Sequence, residues 1–281
     1  MPIRLSPCAA AAGLLAATIL LAAGCAGPAR KYDRAAHAAG FTQTLYQGPR
    51  FHHKIFRNSA PLKDGRLHVF IEGDVSVREA LRHAPPDPTP RKGLMLQLME
   101  RDEAAAILLG RPCYHGVYEM DACEIRHLGR ERYSREITDS MTGALRAEMQ
   151  ASGAREVVIF GYSGGGSLGL LMAGQIPETK ALVTLAANLD NASLTAYQVS
   201  PPLSGSLDPA DAPPLPDSVA QLHFFGERDV RLPVSLARQT LARQKAAAVI
   251  VPGIDHDCCW QAIWPEIAAR LQKALEGGAV Q

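Results

Sequence analysis

A serine flanked by glycines follows an apolar run near the middle of the chain. The run EVVIF (156–160) leads directly into GYSGG (161–165), which fits the pattern G-x-S-x-G around Ser163. This pattern is typical of a sharp strand-to-helix turn that exposes a serine Oγ. The backbone N–H of the next residue, Gly164, then points to where an oxyanion would form. The short pattern is common in glycine-rich chains, but its position between a strand and a helix predicts a nucleophile at Ser163.

A serine hydroxyl becomes nucleophilic when a base takes its proton, and a carboxylate must orient that base. Only two histidines follow Ser163. His223 lies inside the apolar run QLHFF, which favours a buried structural role, whereas His256 follows the run AAVIV. Asp229 follows QLHFF in the same way, and Asp190 after ALVTLAA is a rival acid. We predict His256 as the base and Asp229 as its carboxylate, with a plain turn residue as the alternative for Asp229.

Phosphate binding is the other chemistry that a glycine-rich turn can do. No lysine follows these glycines, which argues against a P-loop. Gly164, Gly166 and Gly169 have the G-x-G-x-x-G spacing of a dinucleotide-binding turn, and Asp190 lies about where such a site needs an acid. The turn is in the middle of the chain, however, and these glycines fall inside the predicted helix. A nucleophile is favoured, and a dinucleotide site remains open as an alternative.

Apolar runs and amphipathic segments alternate along the chain and must position these residues. Strands are predicted at 66–74, 93–99, 156–160, 181–187, 221–225 and 247–251, and helices at 133–150, after Gly164, at 233–244 and at 264–275. Such alternation predicts an α/β fold with a mainly parallel sheet and helices on both faces. A proline-rich segment at about 190–217 interrupts the alternation, and we interpret it as an insertion over one edge that forms a lid or a pocket wall.

Three motifs, GYSGG, GERDVRLP (226–233) and GIDHDCCW (253–260), resemble the α/β-hydrolase superfamily over roughly residues 62–275. The resemblance implies the α/β-hydrolase fold and a triad of Ser163, Asp229 and His256. It also implies a second oxyanion donor in FIEGDV (70–75), at Gly73 or Asp74. Glu72 stands there where the family usually has histidine. The stretches GRPC, ERYSREI and SGSLDP also resemble uncharacterised hydrolase-like lipoproteins of proteobacteria.

The N-terminus has the features of an export signal. Arg4 precedes an apolar run over residues 8–23 that ends in LAAGC (21–25). Small residues before a cysteine resemble the lipobox of bacterial lipoproteins, with plain secretion or an uncleaved anchor as alternatives. We therefore predict a signal peptide at 1–24, a lipidated Cys25, a tether over 25–60 and a hydrolase domain over 61–281. Ala26 after the cysteine resembles outer-membrane sorting, which would place the protein in the bacterial envelope facing the periplasm.

The other cysteines suit an exported protein. Cys113 and Cys123 are predicted to form a disulfide across a short loop. The adjacent pair Cys258 and Cys259 could be bonded to each other or reduced and buried. The cysteines are not spaced for a zinc site, so we expect no metal.

The expected function follows from the predicted triad and the charge. A formal net charge of +1 gives no electrostatic case for a nucleic-acid partner. We expect a serine hydrolase of the carboxylesterase type, without cofactors, that acts on small acyl esters and contacts the membrane through Cys25. An acyltransferase with the same triad and a non-catalytic lipoprotein that binds a partner are the alternatives.

Overall fold

A computed structural model describes residues 27–277, which surround one eight-stranded sheet. The strands are β1 Thr42–Gln47, β2 His52–Arg57, β3 Arg66–Ile71, β4 Ala106–Leu109, β5 Glu156–Tyr162, β6 Thr179–Leu185, β7 Ala220–Gly226 and β8 Ala248–Val251. Their order is β1-β2-β4-β3-β5-β6-β7-β8. Strands β3 to β8 run parallel, while β2 is antiparallel to both β1 and β4. The predicted mainly parallel sheet is confirmed.

Helices cover both faces of the sheet, as predicted. They are α1 Pro28–Ala38, α2 Val77–Ala80, α3 Leu94–Met99, α4 Ile125–Leu128, α5 Arg135–Ser152, α6 Gly164–Ala173, α7 Asn191–Tyr197, α8 Arg238–Arg243 and α9 Trp264–Leu275. Helices α5, α6 and α8 pack their apolar side chains on one face of the sheet. Helices α1, α3 and α9 pack on the other face. The sheet is therefore buried between two apolar layers, which is why its central strands read as continuous apolar runs.

The predicted strand at 93–99 is wrong, because these residues form helix α3. The strand that follows β3 along the chain, and pairs with it, is β4. A short run of buried apolar residues fits a buried helix as well as a buried strand. The start of α3 decides the outcome, since the backbone N–H groups of Met95 and Leu96 donate to the Glu72 carboxylate, at 3.1 and 3.4 Å. An acidic group at a helix N-terminus favours the helix.

The predicted tether over 25–60 is also wrong. This segment contains α1, β1 and β2, and β2 joins the sheet by pairing Ile55 with Leu109 of β4. Phe51, Ile55 and Phe56 are fully buried. The glycines, prolines and polar residues of this segment do not show the apolar pattern that predicts a strand. This is because β1 is an edge strand whose side chains are mostly exposed. The folded domain thus includes residues from Gly27 onward.

The predicted signal peptide at 1–24 and the lipidation site Cys25 lie outside the described residues. Within residues 27–277, no helix combines the length and apolar character needed to cross a membrane. The disulfide between Cys113 and Cys123 is confirmed, with an S–S distance of 2.00 Å. Cys258 and Cys259 are also bonded to each other, which selects one of the two alternatives for that pair.

Candidate active site

Ser163 lies at the sharp turn between β5 and α6. Its backbone has φ 51° and ψ −121°, a combination that non-glycine residues rarely adopt and that costs conformational energy. The turn is held by a hydrogen bond from Ser163 N to Leu185 O of β6, at 2.9 Å. A Cβ on Gly161 would collide with the backbone of Gly165, and one on Gly165 would collide with the end of β3. The two outer glycines of G-x-S-x-G are therefore required by backbone packing.

His256 and Asp229 form a buried pair at the ends of the two strands beyond β6. His256 follows β8, Asp229 follows β7, and His256 Nδ1 lies 2.8 Å from Asp229 Oδ2. The other oxygen of Asp229 accepts hydrogen bonds from the backbone N–H groups of Arg231 and Leu232, both at 2.9 Å. Burial alone would raise the pKa of Asp229, but the hydrogen bonds from His256 and Leu232 hold it below its ordinary value. Asp229 is therefore an anion that orients the imidazole.

The loop that carries His256 is fastened beside the nucleophile. The carbonyl oxygen of His256 accepts hydrogen bonds from Tyr162 OH and Trp260 Nε1, both at 3.0 Å. Tyr162 is the residue before Ser163, and its ring centroid is 5.3 Å from that of His256. Burial and the nearby Asp257 raise the pKa of Tyr162, so its hydroxyl stays protonated and keeps donating. These contacts tie the histidine loop to the nucleophile turn.

Ser163 and His256 line the same pocket, which has a volume of about 330 Å³. Within the described part of the chain, no hydrogen bond joins their side chains. The pocket walls come from residues 72–75, from 90–94 and from Arg231 and Asp257. The segment 190–217, which was expected to form a lid or a pocket wall, does not line this pocket. That segment packs elsewhere, with Leu207 N donating to Tyr133 O at 3.0 Å.

The loop after β3 crosses directly over the nucleophile. A Cβ on Gly73 would lie 3.1 Å from Ser163 Cβ, so a larger residue there would push the loop and the nucleophile apart by a few tenths of an ångström. Gly164 is the first residue of α6, where a backbone N–H has no partner within its own helix. Among residues 27–277, the N–H of Asp74 likewise has no hydrogen-bond acceptor. The N–H of Gly73 lies near the Glu72 carboxylate and helps to lower the pKa of that group. Gly164, together with Asp74 or Gly73, is therefore placed to supply the oxyanion donors.

The side chain of Asp74 is fixed by a partly buried ion cluster. Its carboxylate lies 2.7 Å from Arg111 Nη1 and 3.1 Å from Arg132 Nε, and it accepts a hydrogen bond from Tyr133 OH. Burial would raise the pKa of Asp74, but the two guanidinium groups outweigh it and lower that pKa. Burial and the neighbouring carboxylate raise the pKa of Tyr133 to about 12. The cluster holds the Asp74 backbone in place above Gly164.

Glu72, at the position where the resembled family usually has histidine, anchors the same loop. Its Oε1 accepts hydrogen bonds from Tyr32 OH at 2.8 Å and from the N–H groups that begin α3. Burial raises the pKa of Glu72 to about 7, although these hydrogen bonds oppose the shift. The sequence showed an acid after an apolar strand, but the anchoring role was missed because its partners are in α1 and α3.

The rival residues have structural roles. Gly166 and Gly169 lie inside α6, where a Cβ would press on Ala187 and on the strands below, so they allow helix–sheet packing. Asp190 caps α7 by accepting from Ser193 N at 2.7 Å. His223 is buried in β7 beside Thr184 Oγ1 at 2.8 Å, and burial lowers its pKa to about 4. The dinucleotide interpretation therefore has no support from this geometry.

Within residues 27–277, no group of three or more His, Cys, Asp and Glu side chains is arranged to hold a metal ion. The cluster around Asp74 combines one carboxylate with two guanidinium groups, which repel a cation.

No protein-family model and no curated protein matches the chain. Many solved structures, in contrast, are similar to the chain. Mouse alpha/beta hydrolase domain-containing protein 10 has a TM-score of 0.55 at 13% identity, over 84% of this chain and 99% of that one. An alpha-beta serine hydrolase homologue from Coxiella burnetii has 0.54 at 12%, over 83% and 97%. A membrane phospholipase A, described as a bacterial virulence factor, has 0.52 at 16%, over 96% and 94%. These likenesses show the fold.

Proposed function

We propose that this chain, which has the α/β-hydrolase fold, is a serine hydrolase that cleaves acyl esters. The observation that carries the proposal is the convergence at one pocket of a strained serine, Ser163, and a buried histidine–carboxylate pair, His256 and Asp229. Backbone strain of this kind is concentrated at functional sites. A histidine held by an anionic carboxylate is the base that a serine nucleophile needs.

In the proposed reaction, Ser163 Oγ attacks the acyl carbonyl while His256 Nε2 takes its proton. The N–H groups of Gly164 and of Asp74 or Gly73 stabilise the oxyanion, and Asp229 stabilises the imidazolium. His256 then returns the proton to the alcohol that leaves. Water enters, gives a proton to His256 and releases the acid from the acyl-enzyme. The fixed loop after β3 and the fixed histidine loop make this geometry pre-organised, so little reorganisation is needed at the moment of reaction.

We also propose that the enzyme is anchored in the bacterial envelope through a lipidated Cys25, at the outer membrane and facing the periplasm. The lipobox-like LAAGC and the disulfide between Cys113 and Cys123, a bond typical of oxidising compartments, support this location. The structural likeness to a membrane phospholipase A is consistent with an ester-cleaving role.

The direct test is labelling with a fluorophosphonate probe, which reacts only with an activated serine. We expect wild-type protein to be labelled at Ser163, with label and hydrolysis of 4-nitrophenyl butyrate both lost in Ser163→Ala. Asp190→Asn, at the rival acid, serves as the matched control and should keep both. Folded wild-type protein that takes no label would refute the proposed activity.

The anchor is tested separately by mass spectrometry of the mature N-terminal peptide. We expect a peptide that begins at Cys25 and carries the mass of a diacylglyceryl group. A peptide that begins elsewhere, or an unmodified cysteine, would refute the anchor and leave the proposed activity untouched.

A further inference from the structure

The register of the sheet places the beginning of the domain on the same side as the candidate site. We call the side where β3 to β8 end the carboxyl edge, since Ser163, Asp229 and His256 lie there. Strand β2 pairs Ile55 with Leu109, the last residue of β4, so β2 begins at the carboxyl edge. Strand β1 runs antiparallel to β2 and therefore begins at the opposite edge. Helix α1 precedes β1, so it must end at that opposite edge.

Helix α1 is long enough to span the sheet, so its first residues lie at the carboxyl edge. Its 11 residues span about 16 Å, close to the height of the six-residue β1. Contacts confirm the direction, because Ala29 N donates to Asp87 Oδ2 at 2.9 Å in the connection that leaves β3. One turn further on, Tyr32 OH donates to Glu72, which lines the pocket of Ser163.

The proposed lipid anchor lies immediately before this helix. Cys25 is two residues before Gly27, the first described residue, and a chain of two residues spans at most about 7 Å. A diacylglyceryl group on Cys25 enters the bilayer, so the bilayer surface must come close to Gly27. The domain therefore has no long tether that would let it turn away from the membrane.

Most of the exposed large apolar side chains within residues 27–277 lie in connections that begin at this same edge. Among the large hydrophobic residues that are exposed within 27–277, Leu45 and Ile250 lie in strands. The others lie in the connections that leave the carboxyl ends of parallel strands. They are Leu81 after β3, Met120 and Ile125 after β4, Tyr197 and Val199 after β6, and Val230 after β7. Val199 and Val230 are 94% and 76% exposed, which is costly in water and favourable at a lipid interface.

We propose that the carboxyl edge rests on the lipid bilayer that holds the Cys25 anchor, and that the pocket takes its acyl ester from a bilayer-resident amphiphile. This inference rests on the proposed function for its ester chemistry and on the proposed anchor for its geometry. The exposed Lys92 at the pocket rim is suited to a headgroup phosphate at the same surface. Under this proposal the exposed apolar side chains of the carboxyl edge contact a lipid surface.

Tryptophan quenching tests the orientation without relying on activity. The lipidated full-length protein is placed in vesicles of phosphatidylethanolamine and phosphatidylglycerol, with or without brominated acyl chains. Leu81→Trp adds a fluorophore at the carboxyl edge, and Glu178→Trp adds one just before β6, at the opposite edge. The native Trp260 and Trp264 are buried and give a common background. We expect brominated lipid to quench the added fluorescence at position 81 at least twofold more than at 178.

A second experiment tests where the substrate comes from. The double variant Leu81→Glu with Val199→Glu should hydrolyse a bilayer-embedded acyl ester about tenfold more slowly than wild type and a soluble ester at an unchanged rate. Gln150→Glu with Ala151→Glu, at two exposed positions near the end of α5 and before β5 begins, adds the same charge at the opposite edge and should change neither rate.

Each result decides a separate claim. Equal or stronger quenching at position 178, absence of quenching at both positions, or an unmodified Cys25 would overturn the proposed orientation. An equal loss on both esters in the double variant, or no loss on either, would overturn the bilayer source of the substrate. Absence of fluorophosphonate labelling in a preparation with strong quenching at position 81 would refute the proposed function while the orientation stands.

Discussion

The two sides of Ser163 use buried carboxylates in opposite ways. On the acid–base side, Asp229 faces the imidazole of His256, which exchanges a proton with Ser163 in the proposed reaction. On the oxyanion side, Asp74 faces two guanidinium groups, which stay charged at all relevant pH values. A carboxylate that follows a strand can therefore support proton transfer, as proposed for Asp229, or only hold a loop in place, as Asp74 does. The partner determines which of these it does.

Glu72 is a third case within the same comparison. Its donors are a tyrosine hydroxyl and backbone N–H groups, none of which carries a charge. Without a cation nearby, burial dominates and raises the pKa of Glu72 to about 7. Three acids, two after β3 and one after β7, thus differ in the shift of their pKa because their partners differ.

The largest expected effect is on the acid–base side. Asp229→Asn keeps the size of the side chain but no longer selects the imidazole tautomer that can take the proton of Ser163. We expect kcat for ester hydrolysis to fall about 10³- to 10⁴-fold with little loss of stability. Steady-state kinetics measures this, with Asp190→Asn as the matched control. A fall of less than tenfold would mean that Asp229 acts like the structural acids across the pocket.

Asp74→Asn should act on stability instead. The change leaves the guanidinium of Arg111, whose side chain is 2% exposed, without its anion. Breaking a buried ion pair from one side costs about 3–5 kcal/mol of unfolding free energy. Urea denaturation measures the loss, and Asp74→Asn combined with Arg111→Met should recover part of it. If stability is unchanged, the ion cluster does not hold the loop.

Glu72→Gln should change the pH dependence of stability. The folded state raises the pKa of Glu72 from 4.5 to about 7, so the folded protein binds more protons than the unfolded chain between these values. Stability is therefore lost as pH rises through this range, by about 2–3 kcal/mol between pH 5 and 8. Tyr32 stays neutral there because burial raises its pKa.

Denaturation of wild type and Glu72→Gln at several pH values checks this. The glutamine variant should lose less stability on going from pH 5 to 8. Parallel curves for the two proteins would show that Glu72 does not titrate in this range, and would place it with Asp74 as a fixed anion.

The smallest effect is expected for Tyr133→Phe. This change removes one of the donors to the Asp74 carboxylate but leaves both arginines in place. We expect a loss of about 1–2 kcal/mol in unfolding free energy. Tyr114→Phe is the control, because its hydroxyl accepts only a long bond of 3.4 Å from Val75 N, and its loss should be smaller. Equal losses would show that the Tyr133 hydroxyl is not a specific part of the cluster.

The acid–base side could be predicted from the sequence because each residue there directly follows an apolar strand. The carboxyl ends of parallel strands meet at one edge, so Ser163, Asp229 and His256 are brought together by strand order alone. The helix α9 was predicted with the same bounds that the structure has, since its apolar face repeats with helical spacing.

The oxyanion side could not be predicted in the same way. Arg111 and Tyr133 reach Asp74 from 37 and 59 residues away, through connections without periodic pattern. The strand error at 93–99 has the same origin, because the choice of helix depends on the Glu72 carboxylate more than 20 residues earlier. The pairing of β1 and β2 was missed since the exposed side chains of β1 carry no alternation.

The place of β8 at the end of the sheet order has a consequence for synthesis. It has one neighbour, β7, and His256 follows it. During synthesis the ribosome therefore adds Ser163, the residues that donate to the oxyanion and Asp229 before it adds His256. Under the proposed mechanism the nascent chain is inert toward ester-linked lipids while it is still being made.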